Sequence, residues 1–241
     1  MKKRLRVVLI MLFIMGAQGT FCADAAGEHY RIGVVATRGK AVCLKQWGQT
    51  AQYLNNKIKD FTFEIIPLDY DEIARAITTK SIDFLISNPY VYVETEALYG
   101  SQRIATIKSL SGGHYYATYG GLIFVKADRN DINTVQDLKG KRFVTSNERS
   151  FGSWITILRE LKDRGIDPRR FFSSLTFTGT DDATVFAVYE GRADAGGVRS
   201  GILERMAKEG KIDSKAFKAI RYRKFNSEEK IPFLHTTRLY P

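Results

Sequence analysis

The strongest constraint on this chain is an internal echo at a spacing of 111 residues. From Tyr30 to Asn88 the pattern reads strand, helix, strand, helix, strand. Arg31–Val35 is a short β-branched run, and Leu44, Trp47, Ala51, Leu54 and Ile58 recur at helical spacing. Phe61, Phe63 and Ile65 alternate as in a strand; Asp71–Thr79 reads as a short helix with Asp71 as its N-cap; Phe84–Ser87 reads as a buried strand. From Arg142 to Arg199 the same order returns: strand Arg142–Thr145, helix Phe151–Arg164, strand Leu175–Thr178, helix Asp182–Tyr189, strand Ala193–Val198. Arg31 recurs as Arg142, Asp71 as Asp182, Ala76 as Ala187 and Asp83 as Asp194. Most other positions differ, so the repeat is one of architecture. Two βαβαβ units predict an α/β fold of two similar lobes. A single six-stranded doubly wound sheet is the alternative.

The segments between and after the units supply the connections. Arg103–Leu110 is strand-like, Ser111-Gly112-Gly113 is a turn, and Tyr115–Val125 is strand-like again. A helix over Gly201–Lys208 and a strand over Phe217–Arg223 follow. The expected boundaries are 26–112 for lobe 1, 113–224 for lobe 2, and a C-terminal segment 225–241 that returns to lobe 1. Two crossings make a hinge.

The first 25 residues read as a cleaved secretory signal peptide. Lys2, Lys3, Arg4 and Arg6 precede an apolar run from Val7 to Ala17, and Ala23-Asp24-Ala25 offers a small-x-small cleavage site. The run is shorter than the roughly 20 residues of a membrane span. The expected location is the periplasm, with membrane contact only through a partner. Removing four basic residues and one acid lowers the net charge from +11 to +8. One cysteine then remains, Cys43, read as a small buried side chain near the first helix, with a thiol activated by Arg38 and Lys40 as the alternative.

In open parallel sheets, ligands sit beyond the carboxyl ends of the strands. In lobe 1 those loops carry Thr37, Arg38 and Lys40, then Tyr70, then Asn88, Tyr90 and Tyr92 close by. In lobe 2 they carry Ser150, Gly152 and Ser153, then Asp181, then Arg199. The 111-residue offset matches Tyr70 to Asp181 and Asn88 to Arg199, which places these pairs across a cleft. The helix start at Ser150 suits an anion through free N–H groups, or is simply capped by the Ser150 side chain. Arg199 suits a carboxylate or oxyanion, or pairs with Asp181 or Asp182. Arg38 and Lys40 are either ligand contacts or a solvated turn. The tyrosines form either an aromatic wall or ordinary core and rim.

Other chemistries lack their patterns. Ser153 follows Gly152 without the second glycine of a nucleophile elbow. Gly39-Lys40 and Gly140-Lys141 fail the Walker spacing. His29, His114 and His235 have no metal-ligand spacing, so neither a metal nor a cofactor is expected. Asp181-Asp182 reads as a helix N-terminus rather than a catalytic acid pair. The basic runs at 139–142, 169–170 and 221–224 fall in turns, and no nucleic-acid partner is expected.

Several stretches resemble the PhnD-like phosphonate-binding periplasmic proteins. These are Asp137-Leu138-Lys139-Gly140-Lys141-Arg142-Phe143, Asp182 through Gly191 with Ala193-Asp194-Ala195-Gly196, and Asp69-Tyr70 followed by Ile82-Asp83-Phe84 and Asn88-Pro89. Other stretches resemble the sensor domains of tetrathionate-type histidine kinases: Arg38-Gly39-Lys40 near Trp47, Ser150-Phe151-Gly152 with Trp154, Gly197-Val198-Arg199, and 234–241. The resemblance implies a type 2 periplasmic-binding-protein fold that closes on a small anionic ligand, a phosphonate, phosphate or other oxyanion. It implies an ABC permease or a membrane histidine kinase as partner, and no enzymatic activity. The alternative it leaves is a stand-alone sensor-type interaction domain acting with a kinase. Tyr70 and Tyr92 match the family's tyrosine positions, and Ser150 and Ser153 its Ser/Thr-rich helix start. The chain departs from the pattern in lacking a Ser-Thr-Ser-Gly run and in carrying Asp181 where a histidine is usual. A carboxylate there would repel a doubly charged phosphonate, so another small ligand, such as a different oxyanion, fits at least as well.

Overall fold

A computed structural model describes residues 28–111, 113–220 and 233–240. The leader, Cys22, the basic run 221–224 and Pro241 lie outside the described residues.

The repeat survives as two separate sheets, which disposes of the single six-stranded alternative. In lobe 1, β1 (Glu28–Val35) is flanked in parallel by β2 (Phe61–Leu68) and β3 (Phe84–Ile86), with α1 (Lys40–Lys57) and α2 (Ile73–Thr78) as crossovers. In lobe 2, β7 (Arg142–Thr145) is flanked in parallel by β8 (Ser174–Phe177) and β9 (Ala195–Arg199). Antiparallel β6 (Gly121–Lys126) and β10 (Phe217–Ala219) extend that sheet beyond β9, to give the order β10-β6-β9-β7-β8.

The register of the central pair repeats at the same offset: Ile32 lies opposite Phe84, and Phe143 opposite Ala195. So does a buttress at the start of each central strand. The Arg31 backbone N–H and Nε donate to Asp83 Oδ2 at 2.8 and 3.2 Å, and its Nη2 donates to the Lys80 carbonyl at 2.8 Å. Arg142 does the same with Asp194 at 2.9 and 3.0 Å and with the Gly191 carbonyl at 3.1 Å. Lys80 (φ 52°) and Gly191 (φ 74°) both sit in the left-handed region that turns the helix into the third strand. One such turn is thus held open by a lysine.

Alternation along β1 builds a three-layer lobe. Ile32 and Val34 pack with Cys43, Ala51 and Ile65 under α1, while Val35 packs with Leu68, Ile73 and Val91 on the other face. Lobe 2 repeats this with one core around Phe143, Ile157 and Leu161 and another around Val185, Val188 and Met206.

Several local expectations are corrected. Asp71 is not a cap: α2 begins after Glu72, and no side chain caps it. Phe84 is partly exposed, so β3 is not a fully buried strand. Asn88-Pro89-Tyr90 is a helix start, not a loop; the Asn88 side chain caps α3 (Pro89–Tyr99) by accepting from the Val91 N–H at 3.0 Å, with Pro89 in the first turn. Residues 101–108 form no strand, and among the described residues only β4 (Ser109–Ser111) and β5 (His114–Tyr116) pair there. The helix expected from Phe151 starts as a π-helical turn, Phe151–Ile155, before α4 (Thr156–Lys162). The tail is also redirected. Its described part, 233–240, lies against lobe 2 rather than lobe 1. Thr236 and Thr237 bond β6 at Gly121 and Ile123, and Tyr240 pairs with Tyr119. The exposed N–H edge at the start of β6 is satisfied by these threonine hydroxyls. Short helices α5 (Pro168–Phe171), α6 (Asp181–Tyr189) and α7 (Ile202–Lys208) complete the element order.

Candidate functional site

The carboxyl ends of both sheets meet, as the paired loops require. The Asp181 backbone N–H donates to the Thr37 carbonyl at 2.9 Å, which ties the two lobes directly. The Tyr70 hydroxyl accepts from Asn88 Nδ2 at 3.1 Å and bonds Ser150 of the other lobe. Asn88 Nδ2 also reaches the Arg149 carbonyl at 3.3 Å. Arg149 in turn donates to the Tyr70 carbonyl and to Glu94. The lobes are therefore in contact across the cleft between them.

Arg199 ends β9 on the same side. Its guanidinium lies 4.1 Å from the Tyr119 ring centroid, a cation–π stack, and its Nη2 is 3.5 Å from Ser109 Oγ. Among the described residues no carboxylate lies within 4 Å of it, and its buried Nε has no hydrogen-bond partner. The expected pairing with Asp181 or Asp182 is therefore absent from the described residues. Gly152 explains how the arginine fits: a Cβ there would sit 2.9 Å from Arg199 Cβ and Cγ and 3.1 Å from the Tyr119 ring. The glycine makes room for the arginine stem.

Asp181 is 1% exposed, at the first turn of α6, whose N-terminus is capped by Thr180. It accepts from Ser153 Oγ at 2.6 Å. Burial pushes its carboxyl up to about 6, against the pull of Ser153, Ser146 and Arg199. Ser146 lies beside the same carboxylate yet makes no well-formed bond, so its buried Oγ is unpartnered. Tyr70 is held protonated too, pushed up to about 12 chiefly by burial, and burial likewise raises Tyr119.

Arg38 serves a different purpose. It is buried, neither a solvated turn nor an open ligand contact. Its guanidinium donates to Asp182 at 2.5 and 3.0 Å and to Glu209 at 2.7 and 2.8 Å, both in lobe 2. Burial works against its charge, but the two carboxylates outweigh that and raise its pKa. Lys40 faces away, bound to Glu72 at 2.7 Å and near Asp69 within lobe 1. The Tyr92 hydroxyl is spent on Glu96 of its own helix. Tyr90 lines a separate groove of about 600 Å³ with Arg149, Trp154 and Phe177. The Ser150 side chain does not cap its helix; it bonds Tyr70 instead. Cys43 is buried on α1, and burial pushes its thiol up to about 11, so the activated-thiol alternative fails.

Of the expected residues, Thr37, Tyr70, Asn88, Ser150, Gly152, Ser153, Asp181 and Arg199 converge, while Arg38 clamps the lobes. Sequence reasoning missed Tyr119, Ser146, Arg149 and Glu209. Tyr119 lies just ahead of β6, and Ser146 one residue past β7, a strand end that deserved the same weight as the others. Glu209 had no signal, since it lies beyond α7 and meets Arg38 only through folding.

A family model for "ABC transporter, phosphonate, periplasmic substrate-binding protein" matches residues 32–241. The chain belongs to this family. It is 30% identical over 231 residues to the tetrathionate sensor histidine kinase TtrS of Salmonella typhimurium. That match covers 95% of this chain and 38% of the kinase, so the chain spans well under half of that relative. Among solved structures, a binding-protein component of an ABC phosphonate transporter from Pseudomonas aeruginosa superposes with a TM-score of 0.66 at 14% identity. It covers 80% of this chain and 64% of that one. PhnD1 of Prochlorococcus marinus, in complex with methylphosphonate, gives 0.66 at 19% identity, covering 80% and 72%. These likenesses show the type 2 periplasmic-binding-protein fold. Membership in this substrate-binding family fits a cleft between two lobes. Among the described residues no helix is long and apolar enough to cross a membrane, and no cluster of ligating side chains could hold a metal.

Proposed function

We propose that this chain is an exported periplasmic receptor that closes its two lobes on a small oxyanion, binding it without turnover. The observation that carries this reading is Arg199. A partly buried guanidinium, stacked on Tyr119 and lacking a carboxylate among the described residues, is costly unless an anion completes it. The cleft offers further donors in Tyr70 and in the unpartnered Ser146 hydroxyl. The signal-like leader supports export with cleavage near residue 25.

The receptor then acts through a membrane partner. Family membership alone supports an ABC permease. The 30% identity over nearly the whole chain to a kinase sensor favours a second reading, in which the partner is a histidine kinase and the receptor reports the ligand rather than delivering it.

Calorimetry with phosphate, methylphosphonate, sulfate and tetrathionate tests the site. At least one should bind the native chain. Arg199→Ala should weaken that binding by about 2 kcal/mol or more, roughly 30-fold in Kd. Unchanged affinity in Arg199→Ala would refute the assignment.

A further inference from the structure

We propose that the cleft binds its oxyanion together with one proton, held between an anion oxygen and the Asp181 carboxylate, so that Asp181 determines which oxyanions are accepted. This rests on the anion reading above and deepens it.

The argument begins with position. Asp181 is 1% exposed and lies close enough to Arg199 for the two charges to act on each other. Its backbone is pinned across the cleft to Thr37, so the carboxylate cannot withdraw while the lobes are closed. One hydroxyl, Ser153 at 2.6 Å, donates to it. The unpartnered Ser146 Oγ stands beside it. An anion drawn to Arg199 would therefore press its oxygens against a buried carboxylate. Two like charges in a dry site cannot both persist. One proton between them turns repulsion into a short hydrogen bond.

The groups around Asp181 allow this. Arg199 of β9 and Arg205 of α7 oppose protonation, while Asp182 on its own helix favours it. Tyr119 ahead of β6 and Tyr70 after β2 are both held protonated and neutral nearby. Burial outweighs the arginines, and the Asp181 carboxyl titrates near 6 before any anion arrives.

The proton can come from either side. An anion that keeps a proton at neutral pH, such as hydrogen phosphate or methylphosphonate, brings its own. An anion of a strong acid, such as sulfate or tetrathionate, has none, so Asp181 must take one from solution. Proton linkage distinguishes the two. For sulfate or tetrathionate, affinity should fall by roughly 100-fold from pH 5 to pH 8. For phosphate or methylphosphonate the fall should be much shallower, because the ligand supplies the proton.

The experiment is calorimetry of those four probes at pH 5 and pH 8, with the native chain, Asp181→Asn and Ser153→Ala. Asp181→Asn should bind strong-acid anions with no such pH slope. Ser153→Ala removes a bond that stabilises the carboxylate, so its slope should move to higher pH; this variant serves if Asp181→Asn does not fold. A native affinity for sulfate or tetrathionate that is flat from pH 5 to pH 8 overturns the proposal while leaving the anion reading intact. A slope unchanged in both variants does the same. Binding of none of the four probes at either pH overturns both.

Discussion

Arg38→Ala should open the receptor. The side chain is 4% exposed and makes four hydrogen bonds to Asp182 and Glu209. Arg38 belongs to lobe 1 and both carboxylates to lobe 2, so the clamp exists only when the lobes are closed. Removing one partner of a buried ion pair costs about 3–5 kcal/mol. Two features reduce this. Lys211 stays 2.7 Å from Asp182 and 3.3 Å from Glu209, and Glu209 is 35% exposed to water. About 2 kcal/mol should remain, or roughly 30-fold in the ratio of closed to open forms. Small-angle scattering of the ligand-free chain reads this as a larger radius of gyration, and calorimetry reads it as weaker apparent affinity. The denaturation midpoint of each lobe should move little, since neither core is touched.

Acid adds a second arm. Hydrogen bonds from Arg38 hold the Glu209 carboxyl down at about 2. A carboxylate depressed in the closed form stabilises that form above its ordinary range and stops doing so as pH falls towards 2. The native chain should therefore expand below about pH 4, and Arg38→Ala should lack that response. If Arg38→Ala scatters as the native chain does and binds as tightly, the clamp does not govern closure.

Two further predictions concern packing. Gly152→Ala places a methyl 2.9 Å from the Arg199 stem, so Arg199 should be displaced and anion affinity should drop about tenfold or more by calorimetry, with about 1–3 kcal/mol lost in urea unfolding. The Cys43 thiol is buried and pushed up to about 11, so a thiol reagent at pH 8 should label the native chain only at its unfolding rate; rapid labelling would refute its placement under α1.

The scaffold was legible because repetition is a sequence-level property. The Arg31–Asp83 and Arg142–Asp194 buttresses recur with the same bonds because each needs only a strand start and the turn before the third strand. Conversely, Tyr92 was misplaced because its alternative is local, Glu96 at helical spacing, whereas Lys40 was misplaced because Glu72 lies 32 residues away and meets it only in the fold. Arg38 was read as a ligand contact or a solvated turn and is neither, because its partner Glu209 lies 171 residues away and no spacing rule connects them. The tail failed for a similar reason. Whether Thr236 meets β6 or lobe 1 depends on which sheet edge offers unpaired N–H groups, and that is settled only in three dimensions.

What the repeat left unequal is where function resides. The same two backbone stations, past the second and third strands of each unit, carry Tyr70 and Asn88 in lobe 1 but Asp181 and Arg199 in lobe 2. Lobe 1 thus presents neutral hydrogen-bonding groups that are already joined to each other at 3.1 Å. Lobe 2 presents two charges that do not pair within 4 Å: Asp181 accepts from Ser153, and Arg199 stacks on Tyr119 with its Nε unpartnered. A neutral, internally satisfied wall gains little from an anion by itself, whereas Arg199 gains a counter-charge. Under the oxyanion reading proposed above, charge selection belongs to lobe 2. Lobe 1 contributes closure, through Arg38 and through the Thr37 carbonyl that fixes Asp181, so a change at Arg38 and a change at Arg199 weaken binding by separate physical routes.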